Sequence, residues 1–112
     1  MMEFNQYQEL SSRTAKSDEK DRDLLANFAL GLTGEAGEVA DLIKKYRFHG
    51  HQLDRDDLIK ELGDVLWYAS QIANLAAISF NEVAESNIAK LMTRYPDGFN
   101  SADSIKRVDV DG

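Results

Sequence analysis

Apolar residues recur through most of the chain at intervals of three and four, the period of an amphipathic helix. Phe4, Tyr7 and Leu10 open the pattern and predict a first helix from about Glu3 to Lys16. The polar run Ser17-Asp18-Glu19-Lys20-Asp21 then reads as a loop. Leu25, Phe28, Leu32, Ala36, Val39, Ile43 and Tyr46 form one stripe, which predicts a long helix from about Arg22 to Phe48. His49-Gly50-His51 stops it, with Gly50 suited to a left-handed cap. Leu58, Leu62, Val65, Ala69, Ile72 and Ala76 predict a third helix from about Asp54 to Ile78. Ser79-Phe80-Asn81-Glu82 has the form of a capping box and starts a fourth helix, which Tyr95-Pro96-Asp97-Gly98 ends near Arg94. Nothing reads as a strand, so the expected class is all-α. The expected domain covers residues 1–99, and residues 100–112 form a polar tail that would order only against a partner.

Composition narrows the function. The chain has 112 residues, enough for one domain, and short helical domains often complete their burial by oligomerising. A net charge of −7 argues against a nucleic-acid polymer as partner, because no basic stripe offsets a phosphate backbone. A small anionic substrate remains compatible if a metal supplies positive charge. With no cysteine, disulfides and thiolate zinc sites are excluded. No apolar run approaches the roughly 18 residues of a membrane span, and the first residues do not resemble a signal peptide. The expected location is the cytoplasm, with no membrane association.

Two pairs of acids carry the candidate chemistry. Residues three apart on a helix project within about 60° of each other. Glu35 and Glu38 therefore share a face of the second helix, and Glu61 and Asp64 share a face of the third. An antiparallel pairing of these helices gathers four carboxylates around one point. Such a cluster resists full ionisation, and a hard cation such as Mg²⁺ relieves it. Surface acids are common, and either pair alone would read as a solvated face. Here the acids alternate with apolar residues, and Gly31, Gly34, Gly37 and Gly63 interrupt the helices where a close approach to the backbone would need them. A di-iron bundle would draw on Glu-x-x-His motifs, which neither pair contains. His49 and His51 read as loop residues. Asn87, Lys90 and Arg94 share one face of the fourth helix and form a candidate phosphate clamp. Tyr68, one turn beyond Asp64, is in reach of a ligand there, whereas Trp67 reads as core.

In order, Gly34-Glu35-x-x-Glu38, a spacer of 22 residues, Glu61-x-x-Asp64 and Asn87-x-x-Lys90-x-x-x-Arg94 resemble the all-α nucleoside triphosphate pyrophosphohydrolases. This is the MazG-like group, with its related dimeric dUTPases and dCTPases, and the likeness runs from about Leu24 to Phe99. The resemblance implies a bundle of four helices assembled as a homodimer or dimer of dimers. It implies a (deoxy)nucleoside triphosphate substrate, split at the α-phosphorus into monophosphate and pyrophosphate in the service of nucleotide-pool house-cleaning. By the same resemblance Glu35, Glu38, Glu61 and Asp64 ligate Mg²⁺, for which Mn²⁺ can substitute. Glu38 orients or deprotonates the attacking water, and Lys90 and Arg94 hold phosphates with Asn87 and Tyr68. The chain departs from many members in having Gly34 where they carry a further Glu, and Asp57 where some carry a basic residue. Lys44, Lys60 or a partner subunit are the candidates to replace that base. Two rival readings are a hydrolase of another diphosphate-containing nucleotide and a catalytically silent dimerisation or regulatory module.

Overall fold

The computed structural model describes residues 1–15 and 21–106. The expected loop at 17–21 lies outside the described residues except for Asp21. Among the described residues there are five α-helices: α1 (Phe4–Ser11), α2 (Asp21–Phe48), α3 (Arg55–Leu75), α4 (Phe80–Arg94) and α5 (Ser101–Lys106). A 3₁₀ turn, Ser12–Thr14, extends α1 and replaces the last turn of the longer helix expected there.

The helix ends follow local chemistry. Gly50 takes φ +73°, and the His49 and His51 amides both donate to the Lys45 carbonyl, closing α2. Asp54 caps α3 by accepting from the Asp57 amide at 3.0 Å. Ser79 caps α4 by accepting from the Glu82 amide at 3.4 Å. Helix α3 stops at Leu75, three residues short of the expected Ile78. There Ala77 enters the left-handed region at φ +57°, and the Ile78 amide donates back to the Ala73 carbonyl at 2.8 Å. Alanine carries a Cβ penalty in that conformation, so composition gives no warning of the turn. The tail holds one more element than expected. Asn100 accepts from the Asp103 amide at 2.7 Å and donates to the Asp103 carboxylate at 2.7 Å, starting α5.

α2 and α3 pack along each other, α1 lies across α3 and the start of α4, and α4 packs chiefly on α1. Phe28 is the aromatic centre of the α2–α3 contact, meeting Trp67 edge-on at 5.5 Å and Tyr68 at 6.2 Å between centroids. Gly31 is explained here: a Cβ on it would collide with the Tyr68 ring. Phe80 joins α1 to α4 through an edge contact with Phe4 at 5.4 Å. Trp67, expected in the core, is half-buried against Phe28 and Tyr68, and its indole N–H donates to the Ser11 carbonyl and the Thr14 hydroxyl.

The expected inward stripes are only partly covered. Phe28 is buried, and Leu32, Val39, Leu58, Val65 and Ile72 are half-buried, but Leu25, Ile43, Tyr46 and Leu62 remain exposed. The reason is length. α2 has 28 residues and α3 has 21, whereas α1 has eight and α4 lies mostly away from the pair. No described helix is long and apolar enough to cross a membrane.

Candidate functional site

Antiparallel pairing of α2 with α3 puts the two acid motifs opposite each other. Oxygens of Glu35, Glu61 and Asp64 all lie within 4.8 Å of one another. Glu35 and Glu61 are half-buried and Asp64 is exposed, so the group sits at a rim with one open side. Glu38 stands outside this triad, exposed on the next turn of α2, yet its charge reaches Glu61.

The crowding has an electrostatic signature. Glu61 is pushed above the usual carboxylate range, first by loss of hydration and then by the Glu35 charge. A hydrogen bond with Glu35 and the charges of Asp64 and Glu38 push the same way. Lys44 and Lys45 are not partners of the triad. Both pair with Asp41, at 3.5 and 2.9 Å, which holds the Asp41 carboxyl below its ordinary value. Lys45 is held above its own by that hydrogen bond and, in smaller part, by Glu38.

Converging oxygen donors, one of them inclined to keep a proton, suit a hard divalent cation that would displace the proton and join the carboxylates. Glu35, Glu61 and Asp64 are the residues that would hold it, with Glu38 at the edge. Gly34, Gly37 and Gly63 each precede an acid, and a Cβ on any of them would meet nothing within 4 Å. The close approach expected at those three glycines is therefore not made by any described residue of this chain.

The other candidates are distributed differently. Tyr68 lies on Gly31 within the aromatic contact of α2 and α3. Asn87 lines a cavity of about 410 Å³ with Phe4, Leu66, Phe80, Val83 and Ile88. Lys90 is exposed on α4. Arg94 is half-buried, its guanidinium 5.8 Å from the Tyr95 ring. Neither Asn87 nor Lys90 forms a hydrogen bond or ion pair with the acid triad, because α4 packs on α1 rather than along α2. Tyr7 is half-buried, and burial first and the Asp64 charge after it push its phenol above the ordinary value. Its spacing with Phe4 and Leu10 marked it only as apolar stripe.

With this geometry established, residues 25–99 match the model of the MazG nucleotide pyrophosphohydrolase domain. The chain belongs to the MazG family. The matched stretch contains both acid motifs and all of α3 and α4, while α1 precedes it. The chain is similar to the "Gene 37 protein" of Mycobacterium phage L5, 42% identical over 74 residues. That alignment covers 62% of this chain and 65% of the phage protein. No solved structure matches. MazG membership accounts for the all-α class and for the order of the acid motifs along α2 and α3.

Proposed function

We propose that this chain hydrolyses (deoxy)nucleoside triphosphates at the α-phosphorus with Mg²⁺, releasing a nucleoside monophosphate and pyrophosphate for nucleotide-pool house-cleaning. The observation that carries the reading is the convergence of Glu35, Glu61 and Asp64 within a MazG domain. Bound there, the cation would neutralise charge on the phosphates and lower the pKa of water. The chain's own groups do the rest. Glu35, Glu61 and Asp64 supply the oxygen ligands. Glu38, outside the triad and exposed, is free to accept a hydrogen bond from the attacking water and take its proton. The new bond joins water oxygen to the α-phosphorus, the bond to the bridging oxygen breaks, and pyrophosphate leaves. Lys90 and Arg94, with Asn87, hold the departing phosphates, and Tyr68 borders the ligand side of Asp64.

Asn87 and Lys90 make no hydrogen bond or ion pair with the acid triad of their own chain, which is compatible with a homodimer or dimer of dimers that completes the site. The chain exposes 8513 Å², whereas a folded monomer of its mass exposes about 6,200 Å². A surface above that of a compact monomer fits a chain whose helices complete their burial against another copy. Its radius of gyration, 17.0 Å, likewise exceeds the roughly 13 Å of a compact chain of this length. Leu30 and Phe48 on α2 are 74% and 71% exposed, and Ile88 on α4 is 60% exposed, apolar side chains that a second copy would cover.

Incubation with each nucleoside triphosphate in Mg²⁺ or Mn²⁺ is expected to release pyrophosphate, and EDTA is expected to abolish it. Orthophosphate as first product, or activity undiminished by EDTA, would overturn the reading.

A further inference from the structure

The first amides of a helix have no carbonyl partner within it. In α4 these include the amides of Phe80, Asn81 and Glu82. Ser79 takes only the last of them, at 3.4 Å. The other two are taken by side chains of α1. Phe80 donates to Gln8 at 2.9 Å, and Asn81 donates to Asn5 at 2.8 Å. The same two side chains hold the turn just ahead of α4. Gln8 donates to the Ile78 carbonyl, and Asn5 accepts from the Ser79 hydroxyl, both at 2.8 Å.

The far end of α1 is tied to α3. The Ser11 hydroxyl accepts from Gln71 at 2.8 Å and lies 3.1 Å from the Ser70 hydroxyl. The Ser11 carbonyl accepts from the Trp67 indole at 3.1 Å. Ser70 and Gln71 are 0% and 1% exposed, so this attachment is made inside the core. Asn5, Gln8 and Ser11 follow at intervals of three, and one face of α1 makes both attachments. A slip of one residue would turn that face by about 100° and break them all.

α4 depends on this bridge. It packs chiefly on α1, and the link joining it to α3 contains Ala77 in the left-handed region, which an alanine adopts only when its surroundings impose it. The direction of α4 is thus passed from α3 through α1, although α1 precedes the stretch that matches the family model.

We propose that Asn5 and Gln8 are positioning residues for the phosphate-holding face of α4. By fixing the start of that helix they set where Asn87, Lys90 and Arg94 stand relative to the acids of α3. The inference rests on the phosphate-holding role given to α4 above and adds to it two residues from outside the family domain.

Calorimetric titration of the full chain tests it, first with Mn²⁺ alone and then with pyrophosphate in saturating Mn²⁺. Asn5→Ala is expected to weaken pyrophosphate affinity about tenfold, as the fraction of chains holding α4 in place falls. It should leave Mn²⁺ affinity unchanged, because the acid triad lies wholly on α2 and α3. Asn5 takes the Ser79 hydroxyl and the Asn81 amide on its side-chain oxygen, an acceptor that aspartate also supplies. Asn5→Asp is therefore expected to bind both probes like the wild type. Asn5 is exposed, so neither variant opens the core. If Asn5→Ala binds pyrophosphate like the wild type while Lys90→Ala binds it more weakly, the proposal fails and the phosphate-holding face stands. If Asn5→Ala loses Mn²⁺ affinity in equal measure, Asn5 supports the fold at large, and the proposal also fails. If Lys90→Ala and Arg94→Ala both keep full pyrophosphate affinity, the reading of α4 fails and takes this inference with it.

Discussion

Glutamine in place of Glu61 is expected to lower turnover by about two orders of magnitude or more, and at the same time to raise the melting temperature of the metal-free protein at neutral pH. The two effects share one cause. Glu61 sits among Glu35, Asp64 and Glu38, and its carboxyl is pushed above the ordinary range by lost hydration and by their charges. A carboxyl whose folded pKa exceeds its unfolded value stabilises the fold only while it holds its proton. That contribution is complete below the unfolded value and is lost as pH rises through the folded one. At neutral pH the wild type therefore carries the full repulsion, which an uncharged amide relieves. Lowering the pH into the carboxylate range should shrink the difference between variant and wild type, as Glu61 takes up its proton. Added Mg²⁺ should raise the melting temperature of the wild type more than that of the variant. Thermal melts across pH, with and without Mg²⁺, read all of this. Near wild-type turnover of Glu61→Gln at saturating Mg²⁺ would remove this acid from the site.

Ile88→Glu is expected to divide the assembly into single chains and to abolish most of the activity. Ile88 stands between two apolar hollows on α4, one lined with Phe4, Leu66 and Phe80, the other with Leu91, Met92 and Phe99. In a lone chain the residue is solvated, and a surface substitution there costs within about 0.5 kcal/mol. Covered by a second copy, the same carboxylate would be buried without a partner, at a cost of several kcal/mol. The variant thus separates a solvated α4 from a covered one. Light scattering at micromolar concentration should give two or four chains for the wild type and one for Ile88→Glu, with helical content kept by the variant. Dilution of the wild type should lower activity and stability together. A compact wild-type monomer with full activity would overturn the proposed assembly.

What the sequence made legible was mostly periodic. Apolar spacing of three and four located α2, α3 and α4, and Gly50 and Ser79 marked their boundaries because each offers backbone chemistry that few residues share. The acids were legible as pairs, since i, i+3 spacing on two helices that pack together leaves little freedom in where they meet. Glu38 shows the limit of that reasoning. Sharing a face with Glu35 brings it into the field of Glu61, but not into the triad of converging oxygens. The end of α3 was hidden because an alanine, Ala77, takes a conformation usually left to glycine. α5 rests on Asn100 and Asp103, a local cap in a stretch too short to show a period. The crossing of α1 over α3 was hidden for another reason. The polar partners of Gln8 and Ser11 decide it, and hydrophobic spacing does not.

The central claim is hydrolysis at the α-phosphorus, and the isotope pattern of one reaction run in ¹⁸O-enriched water tests it most directly. Attack at the α-phosphorus places the label in the nucleoside monophosphate and leaves the pyrophosphate unlabelled, which mass spectrometry of the two products distinguishes after a single turnover. That is the predicted result. Label in the pyrophosphate with an unlabelled monophosphate would mean attack at the β-phosphorus and would contradict the account.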